Sequence, residues 1–451
     1  MIATRHRPFR DLLRHGGVAL LAALLAGPGL GIAHAEPATM APSVPDIDAP
    51  ELAAIGPAAA GMRTQIIAVH DVIDPLASLA AGHAVLATRV LHLRIWYPAK
   101  PTPGTAPVTY TASLTGEKGT ADAAFTVPGI ALANAAPAGE HYPVVVLSHG
   151  YNNDPVMLSW LGENLATKGY VVVAPEHRDP PIWDRTKTPA ALLARPLDIT
   201  ATISAVRGGM LGTLVDADRL GLIGYSMGGY GVLAVAGARL DPHSPAVAAL
   251  PADLVAAYAG SGAKAGSLVD AGVRAVVAIS PAGGAPWSVF GADGAGLAGV
   301  HAPLLVIAGS ADRTVGFEKG PVALFEGAVH SDRHMLVLVA AGHDIGTNPP
   351  PVEMHARLWD FDWFSDPVWR KDRINAIATH FITAFLDTRL KGDVARAAYL
   401  DVPAEASDHA EWKGDAPGYA AMSQGGANPT WKGFWRGHQD GLILWHKPAQ
   451  P

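Results

Sequence analysis

The sequence predicts an α/β fold in which a mainly parallel central sheet is covered by helices on both faces. Three observations support this prediction. Hydrophobic residues make up 49% of the 451 residues and charged residues only 16%, which is enough apolar material for a large core. Strand-like and helix-like segments alternate along most of the chain, as in parallel sheets with helical crossovers. Several strand-like segments are continuous apolar runs, which is typical of strands buried on both faces.

Residues 1–35 are predicted to be an export signal. Four arginines between positions 5 and 14 precede the apolar run Val18–Leu25, and the small residues Ala33 and Ala35 stand just before Glu36 as at a cleavage site. Glycine and proline interrupt the run at positions 27–29, so it is too short to span a bilayer as a stable helix. We therefore expect an exported, periplasmic or secreted protein with no membrane span after cleavage; a membrane anchor or a buried helix is the alternative.

The rest of the chain is predicted to form one decorated domain. Residues 36–62 are rich in Ala and Pro and are predicted to be a flexible linker. Residues 63–391 carry the alternating pattern of the main domain, with an insertion at 239–270 that is a candidate for a small cap. Residues 392–451 contain four tryptophans, and we expect this extension to pack as a strap on the domain surface.

The elements of the main domain follow from hydrophobic periodicity. In Val90–Tyr97 every second residue is Leu, Ile or Tyr, and the residues between them are more varied. This two-residue period predicts an antiparallel strand near a sheet edge. The predicted buried strands are Tyr142–Leu147, Tyr170–Ala174, Leu220–Gly224, Ala275–Ser280, Leu304–Ala308 and Met335–Val339. The predicted helices are Pro155–Lys168, Leu197–Leu211, Met227–Ala238 and an amphipathic segment around Ile374–Leu386.

Composition also excludes several kinds of function. The net charge is −7, and no run of Lys or Arg follows the N-terminal segment, so a nucleic-acid partner is not expected. The chain contains no cysteine, which excludes disulfides, thiol catalysis and cysteine-ligated metals. Neither an H-E-x-x-H pattern nor a phosphate-binding loop occurs in it, and no metal or cofactor is predicted.

A nucleophilic serine is indicated by the pentapeptide Gly224-Tyr225-Ser226-Met227-Gly228, which has the form G-x-S-x-G. A predicted buried strand ends at Gly224 and a predicted helix begins at Met227, so Ser226 lies on a sharp strand-to-helix turn. Such a turn exposes the serine hydroxyl and points the helix N-terminus at a developing oxyanion. A glycine-rich helix entry with a capping serine is the alternative interpretation.

A base and an acid for this serine are predicted at the ends of two later strands. Enzymes built on such a turn follow the chain order serine, acid, histidine. Asp312 follows the strand Leu304–Ala308, and His343 follows the strand Met335–Val339, so both lie on the same rim of the sheet as Ser226. For the acid, Asp344 adjoins the histidine and is poorly placed to reach its far nitrogen. Among the other histidines, His334 should lie at the opposite edge and His149 precedes the serine. His177 follows a strand and is an alternative candidate for a place in the site.

Two backbone N–H groups are expected to stabilise the oxyanion. One is that of Met227, the residue after the nucleophile. The other should come from the loop Ser148-His149-Gly150-Tyr151, and the N–H of Tyr151 is predicted for this role because Gly150 lets the backbone approach the substrate.

These segments resemble a known group of enzymes. PVVVLSHG at 143–150, GYVVVAP at 169–175 and GYSMGG at 224–229 resemble the dienelactone-hydrolase-like and platelet-activating-factor-acetylhydrolase-like branch of the α/β-hydrolases. The elbow, Ala285-Pro286-Trp287 and AGSADRTV around Asp312 are also similar to bacterial cutinase-like polyester hydrolases. The resemblance covers roughly residues 91–390 and implies the α/β-hydrolase fold.

The resemblance also implies that Tyr151 and Trp287 flank a bound ester, with ordinary core packing as the alternative for Trp287. The chain departs from the secreted cutinases in three respects: it has no cysteines, it carries the insertion at 239–270, and it has the aromatic stretch Trp359–Trp363 after the histidine. A dienelactone hydrolase proper would carry a cysteine nucleophile, which this chain also lacks.

The sequence as a whole predicts a serine hydrolase that cleaves carboxylic esters through an acyl-enzyme intermediate, with Ser226, Asp312 and His343 as its triad. The expected partner is a small-molecule, lipid or polymer ester. An acyltransferase, a thioesterase or a polyester hydrolase on the same triad is an alternative, and so is a non-catalytic exported binding protein of the same fold.

Overall fold

A computed structural model describes residues 47–409, 431–435 and 437–451. The predicted export signal at 1–35 and the first part of the predicted linker, residues 36–46, lie outside the described residues. So does the part of the C-terminal extension that contains Trp412.

The strands in chain order are β1 (Ala59–Ile73), β2 (Leu86–Ala99), β3 (Thr109–Leu114), β4 (Ala123–Pro128), β5 (Leu132–Ala133), β6 (Tyr142–Ser148), β7 (Val171–Pro175), β8 (Val215–Tyr225), β9 (Val273–Ile279), β10 (Leu304–Gly309), β11 (Arg333–Leu338) and β12 (Leu442–Lys447). The α-helices are α1 (Pro75–Ala81), α2 (Ser159–Thr167), α3 (Pro189–Arg207), α4 (Met227–Val235), α5 (Pro245–Ala248), α6 (Ala252–Tyr258), α7 (Ala323–Gly327), α8 (Leu358–Asp362) and α9 (Lys371–Leu386). Short 3-10 helices include Glu51–Ala53, Pro155–Leu158, Gly212–Leu214, Ala265–Leu268, Ala295–Gly299, Val352–Ala356, Val394–Tyr399 and Ser407–His409. Two π-helical turns, Glu318–Val322 and Asp387–Lys391, complete the described helices.

The described strands form a ten-stranded sheet in the order β12-β11-β10-β9-β8-β6-β7-β2-β1-β5, and β3 and β4 pair separately. Its central strands, from β7 through β6, β8, β9 and β10 to β11, are all parallel. Antiparallel pairs flank them: β2 with β7 and β1 on one side, and β12 with β11 on the other. The predicted mainly parallel sheet is confirmed, and so is the antiparallel strand over Val90–Tyr97.

The core lies in two layers, one on each face of the sheet. Alternate side chains of a strand point to opposite faces, and β6 illustrates this: Val144 and Val146 belong to one hydrophobic cluster, and Val145 and Leu147 to the other. Helices α3 and α4 cover the first face, and α2 and α9 cover the second. Because both faces are covered, a continuous apolar run is the sequence pattern that these strands require.

The domain begins earlier than predicted. The linker was expected to extend to residue 62, but a 3-10 helix spans Glu51–Ala53 and β1 begins at Ala59. Leu52 is buried and its N–H donates to Nδ1 of His380 at 3.1 Å, so long-range packing orders a segment with no readable periodicity. Helix α3 likewise begins at Pro189 rather than Leu197, although it contains Pro196, a residue that usually marks a helix boundary.

The C-terminal extension is more than a surface strap, because its last strand joins the central sheet. Leu442–Lys447 pairs antiparallel with Arg333–Leu338 over six residues, and Leu442 and Leu444 are buried. Trp431 is also buried, within the aromatic cluster around Phe381. In the described part of the chain, none of the helices is both long enough and apolar enough to cross a membrane.

Candidate active site

The serine of the pentapeptide lies on a strained turn between β8 and α4. Ser226 has φ 54° and ψ −116°, a conformation that non-glycine residues rarely adopt. Such strain costs on the order of 1–3 kcal/mol and persists only where the surroundings hold it. Here the Ser226 N–H donates to the carbonyl of Ile279 at 2.8 Å, and the Ser226 carbonyl accepts from the N–H of Ala282 at 3.0 Å. The neighbouring strand β9 and the loop after it therefore hold the turn.

Both glycines of the pentapeptide are required by close backbone contacts. A Cβ atom at Gly224 would lie 2.2 Å from the carbonyl oxygen of Gly228, inside the turn itself. A Cβ atom at Gly228 would lie 2.0 Å from the carbonyl oxygen of Ser148, at the end of β6. These distances are below van der Waals contact, so glycine at 224 allows the turn to close and glycine at 228 allows it to pack against β6.

The three predicted side chains lie within hydrogen-bonding distance of one another. His343 Nε2 is 3.0 Å from Ser226 Oγ, and His343 Nδ1 is 2.7 Å from Asp312 Oδ2. Asp312 follows β10 and His343 follows β11, which are adjacent parallel strands whose carboxyl ends meet at one rim. The other oxygen of Asp312, Oδ1, accepts the N–H groups of Thr314 at 2.9 Å and Val315 at 3.1 Å, and these fix the carboxylate.

The surroundings raise the pKa of the His343 imidazole. Burial lowers this pKa, but the hydrogen bond and charge of Asp312, together with the charge of Asp344, outweigh burial. The imidazolium is therefore more stable here than in water. A base of this kind is suited to receive a proton from a serine hydroxyl during reaction.

Asp344 follows His343 in the chain, but its carboxylate accepts a hydrogen bond from Tyr225 rather than from His343. Its Oδ1 accepts the Tyr225 hydroxyl at 2.9 Å, and its backbone carbonyl accepts Lys371 Nζ. Burial raises the pKa of Asp344 and lowers the pKa of Lys371 to about 7. Nothing in the sequence indicated the contacts of Tyr225 and Lys371. The sequence did indicate that Asp344 is poorly placed as the orienting acid, and the partner of His343 Nδ1 is Asp312.

Tyr151 and Met227, the two residues predicted to supply the oxyanion donors, both line the cavity above Ser226. Met227 is the first residue of α4, so its N–H has no partner within the helix. Tyr151 lies in the loop that follows β6, and its side chain is 8% exposed. Burial raises the pKa of the Tyr151 phenol to about 12, which keeps it neutral.

The cavity above Ser226 has a volume of about 750 Å³, and six tyrosine and tryptophan side chains contribute to its wall. Ser226, Met227 and His343 form part of its lining. The aromatic residues in the wall are Tyr151, Trp183, Tyr225, Trp287, Trp359 and Trp363. The volume is within the range of small-molecule sites.

Trp287 is in this wall and is 37% exposed, so core packing alone does not describe it. The insertion at 239–270 supports it, because Ser244 Oγ donates to the Trp287 carbonyl at 2.7 Å. Pro245, Ala246 and Ala249 of the insertion also line the cavity. Trp183 comes from a loop and Trp359 from the short helix α8. Neither segment has a readable period in sequence, and only the clustering of tryptophans at 359–363 signalled the second of them.

His177, the alternative candidate that follows β7, does not line the cavity. It is buried behind the loop after β6, where Nε2 lies 2.9 Å from Ser148 Oγ and Nδ1 lies 2.8 Å from Asp198 Oδ2. This Ser–His–Asp row resembles the first in its contacts but does not border the cavity. His334 stacks on His446 at the opposite end of the sheet, as expected for a residue that begins β11. Among the described residues, no group of three or more His, Asp or Glu side chains is arranged to hold a metal.

Parts of the chain are similar in sequence to a known protein family and to known enzymes. Residues 129–260 match a family model described as PET hydrolase-like. A cutinase of Thermobifida alba is 36% identical over 102 residues, which cover 22% of this chain and 32% of the cutinase. A bis(hydroxyethyl) terephthalate hydrolase of Streptomyces coelicolor is 33% identical over 98 residues, 22% of this chain and 29% of that enzyme. The matches thus span about a third of the length of these relatives.

A solved structure extends the comparison to most of the chain. A ferulic acid esterase from Streptomyces cinnamoneus aligns with a TM-score of 0.50 at 22% identity, over 76% of this chain and 94% of the esterase. With the parallel sheet and the strand-to-helix turn at Ser226, this confirms the predicted fold.

Proposed function

We propose that this chain, which has the α/β-hydrolase fold and resembles cutinases over part of its length, is a serine hydrolase of carboxylic esters. The observation that carries the proposal is the hydrogen-bonded row Ser226–His343–Asp312, whose serine and histidine line a cavity that contains several aromatic side chains. The named relatives that match the chain are themselves ester hydrolases, which supports the same reaction class.

The proposed reaction has two steps. His343 removes the proton of Ser226 Oγ as this oxygen attacks the ester carbonyl, and the N–H groups of Met227 and Tyr151 stabilise the oxyanion. The alcohol leaves with the proton from His343, and a water molecule then releases the acid from the acyl-enzyme by the same route. Asp312 keeps the proton of the neutral imidazole on Nδ1 and stabilises the imidazolium.

The wall of the cavity favours an ester with an aromatic or long apolar group. Trp183, Trp287, Trp359 and Trp363 offer apolar faces around the serine, and aromatic rings pack well against such faces. The names of the relatives, cutinase and bis(hydroxyethyl) terephthalate hydrolase, agree with this class. Polymers whose ester units carry such groups belong to the same proposed substrate class.

The test is a set of initial rates on p-nitrophenyl esters from acetate to palmitate and on bis(hydroxyethyl) terephthalate, with Ser226→Ala alongside wild type. Hydrolysis by wild type and loss of at least about 10³-fold in the variant would support the proposal. Equal rates in the two proteins, or no hydrolysis of any ester by wild type, would refute it.

Export is also proposed, on the pattern of residues 1–35. N-terminal sequencing of the protein recovered from outside the cytoplasm should begin at Glu36. Recovery of the whole chain with Met1 intact from the cytoplasm would refute export.

A further inference from the structure

One buried arginine binds the loop that carries the proposed oxyanion donor Tyr151. Arg195, on helix α3, donates from Nη1 to the carbonyl of His149 at 2.5 Å and from Nη2 to the carbonyl of Gly150 at 2.9 Å. Its side chain has no exposed area. Two successive carbonyl groups of the loop are therefore held on the side that faces α3.

The orientation of the Gly150–Tyr151 peptide follows from these contacts. The Gly150 carbonyl also accepts from His149 Nδ1 at 2.8 Å and from the N–H of Asn153 at 3.2 Å. The peptide is trans, so its C=O and N–H point in opposite directions. Holding the Gly150 oxygen against Arg195 therefore turns the Tyr151 N–H away from α3.

Asp179 fixes the arginine in turn. Its Oδ1 accepts Arg195 Nε at 3.2 Å, and its Oδ2 accepts Arg195 Nη2 and, at 3.0 Å, the N–H of Asn152. The Asp179 side chain is 3% exposed. The carboxylate thus binds both the arginine and the next residue of the same loop, which closes a ring of contacts around Gly150 and Tyr151.

The chemistry of this arrangement requires a guanidinium group. Arg195 uses Nε, Nη1 and Nη2 together to reach one carboxylate and two carbonyls. The donors of a guanidinium are fixed in one plane, whereas a lysine ammonium is a compact point that cannot span three such acceptors. Lysine at this position would preserve the positive charge but could not make all three contacts, to the carboxylate and to the two carbonyls.

We propose that Arg195 is a positioning residue that orients the Tyr151 N–H toward the oxyanion formed at Ser226. This inference rests on the proposed function. Arg195 does not touch the substrate; it acts on the reaction through the Gly150–Tyr151 peptide, and Asp179 supports it. The Ser148–His177–Asp198 row holds the start of the same loop and is a separate support.

The experiment compares Arg195→Lys with wild type in kcat, in KM and in affinity for an alkyl boronic acid, which forms a tetrahedral adduct with an active serine. We expect kcat to fall by about 10- to 100-fold, less than the 10²- to 10³-fold typical of a deleted oxyanion donor. KM should stay within about threefold, and boronic acid affinity should fall in parallel with kcat. Added guanidinium ion should restore part of kcat in Arg195→Ala.

Arg333→Lys is the matched control. Arg333 is also buried and donates to two loop carbonyls, those of Val329 and Ser331, at the opposite end of the sheet. The control should lower the melting temperature without changing kcat or boronic acid affinity. If it lowers kcat as strongly as Arg195→Lys, a general loss of stability explains both, and the inference is overturned.

A second variant covers the case in which Arg195→Lys does not fold. Asp179→Asn keeps the arginine and nearly the same side-chain volume at position 179. Like Arg195→Lys, it should lower kcat and leave KM unchanged. Wild-type kcat in a folded Arg195→Lys or Asp179→Asn protein would overturn the inference. The proposed function fails separately, if Ser226→Ala leaves ester hydrolysis intact.

Discussion

His343 Nδ1 lies 2.7 Å from Asp312 Oδ2, although 31 residues separate the two in sequence. Adjacent parallel strands bring them together, and two backbone N–H groups hold the other carboxylate oxygen. With Nδ1 committed to Asp312, the nitrogen that remains, Nε2, faces Ser226 Oγ at 3.0 Å. The acid thereby determines which nitrogen can act as the base.

Asp312→Asn should lower kcat by about 10³- to 10⁴-fold, because an amide can donate to Nδ1 and place the imidazole proton on the wrong nitrogen. The measurement is kcat on the best p-nitrophenyl ester. Asp344→Asn is the comparison, since Asp344 bonds to Tyr225 rather than to His343. The kcat of Asp344→Asn should fall by no more than about tenfold. A larger fall in kcat for Asp344→Asn than for Asp312→Asn would contradict the assignment of Asp312 as the acid.

The pH dependence of kcat/KM should have an acidic limb set by His343, because the imidazole must be neutral to accept the serine proton. Its pKa is raised, so activity should fall as pH drops through a value above the ordinary 6.5 or so of histidine. The negative charge of Asp344 contributes to this elevation. Asp344→Asn should therefore move the limb to lower pH.

Lys371→Met provides the opposite change. The positive charge of Lys371 lowers the pKa of His343, so its removal should move the acidic limb to higher pH. The two variants are compared in pH profiles measured at one ionic strength. Shifts in the same direction, or no shift in either, would contradict His343 as the group that sets the limb.

Gly228→Ala should destabilise the fold by about 3 kcal/mol and abolish activity, because the new Cβ atom would meet the Ser148 carbonyl at 2.0 Å. The free energy of unfolding in urea measures this effect. Gly266→Ala is the control, since no heavy atom lies within 4 Å of a Cβ at that site, and it should stay within about 0.5 kcal/mol of wild type. Equal stability of the two variants would contradict the packing of the turn against β6.

The candidate triad could be predicted because each member follows a strand that is legible in sequence. Continuous apolar runs make up the second half of β8, all of β10 and the last four residues of β11, and a parallel sheet brings residues after such strands to one rim. The G-x-S-x-G pentapeptide predicted the strand-to-helix turn at Ser226. These features depend on local pattern and on chain order, and neither requires knowledge of distant packing.

The support of the site could not be predicted in this way. Arg195 falls before Pro196, in a stretch expected to precede the helix, and its partners come from two other loops. Strand β12 was not predicted, because its place at the edge of the sheet depends on pairing with the distant strand β11; its first four positions alternate between buried and half-buried, and its last two are exposed. The position of His177 could not be read from sequence either, because it depends on the contact of its N–H with Nε2 of His149 in the loop after β6.

Leu444→Ala should cost about 2–4 kcal/mol of stability, since Leu444 is 2% exposed in the strand that completes the sheet beside β11. Thermal and urea unfolding give the value. Lys447→Ala, at the exposed end of the same strand, should change stability by no more than about 1 kcal/mol. If Leu444→Ala is as mild as Lys447→Ala, the tail does not contribute a strand to the core.

The most direct test of the central claim is the reaction of the purified protein with a fluorophosphonate, followed by intact mass and peptide mapping. Wild type should gain one adduct per chain on Ser226, and His343→Ala should gain it far more slowly because Ser226 Oγ has lost its base. Ser226→Ala should gain none. An unmodified wild-type protein, or an adduct that persists in Ser226→Ala, would contradict Ser226 as the nucleophile of a serine hydrolase.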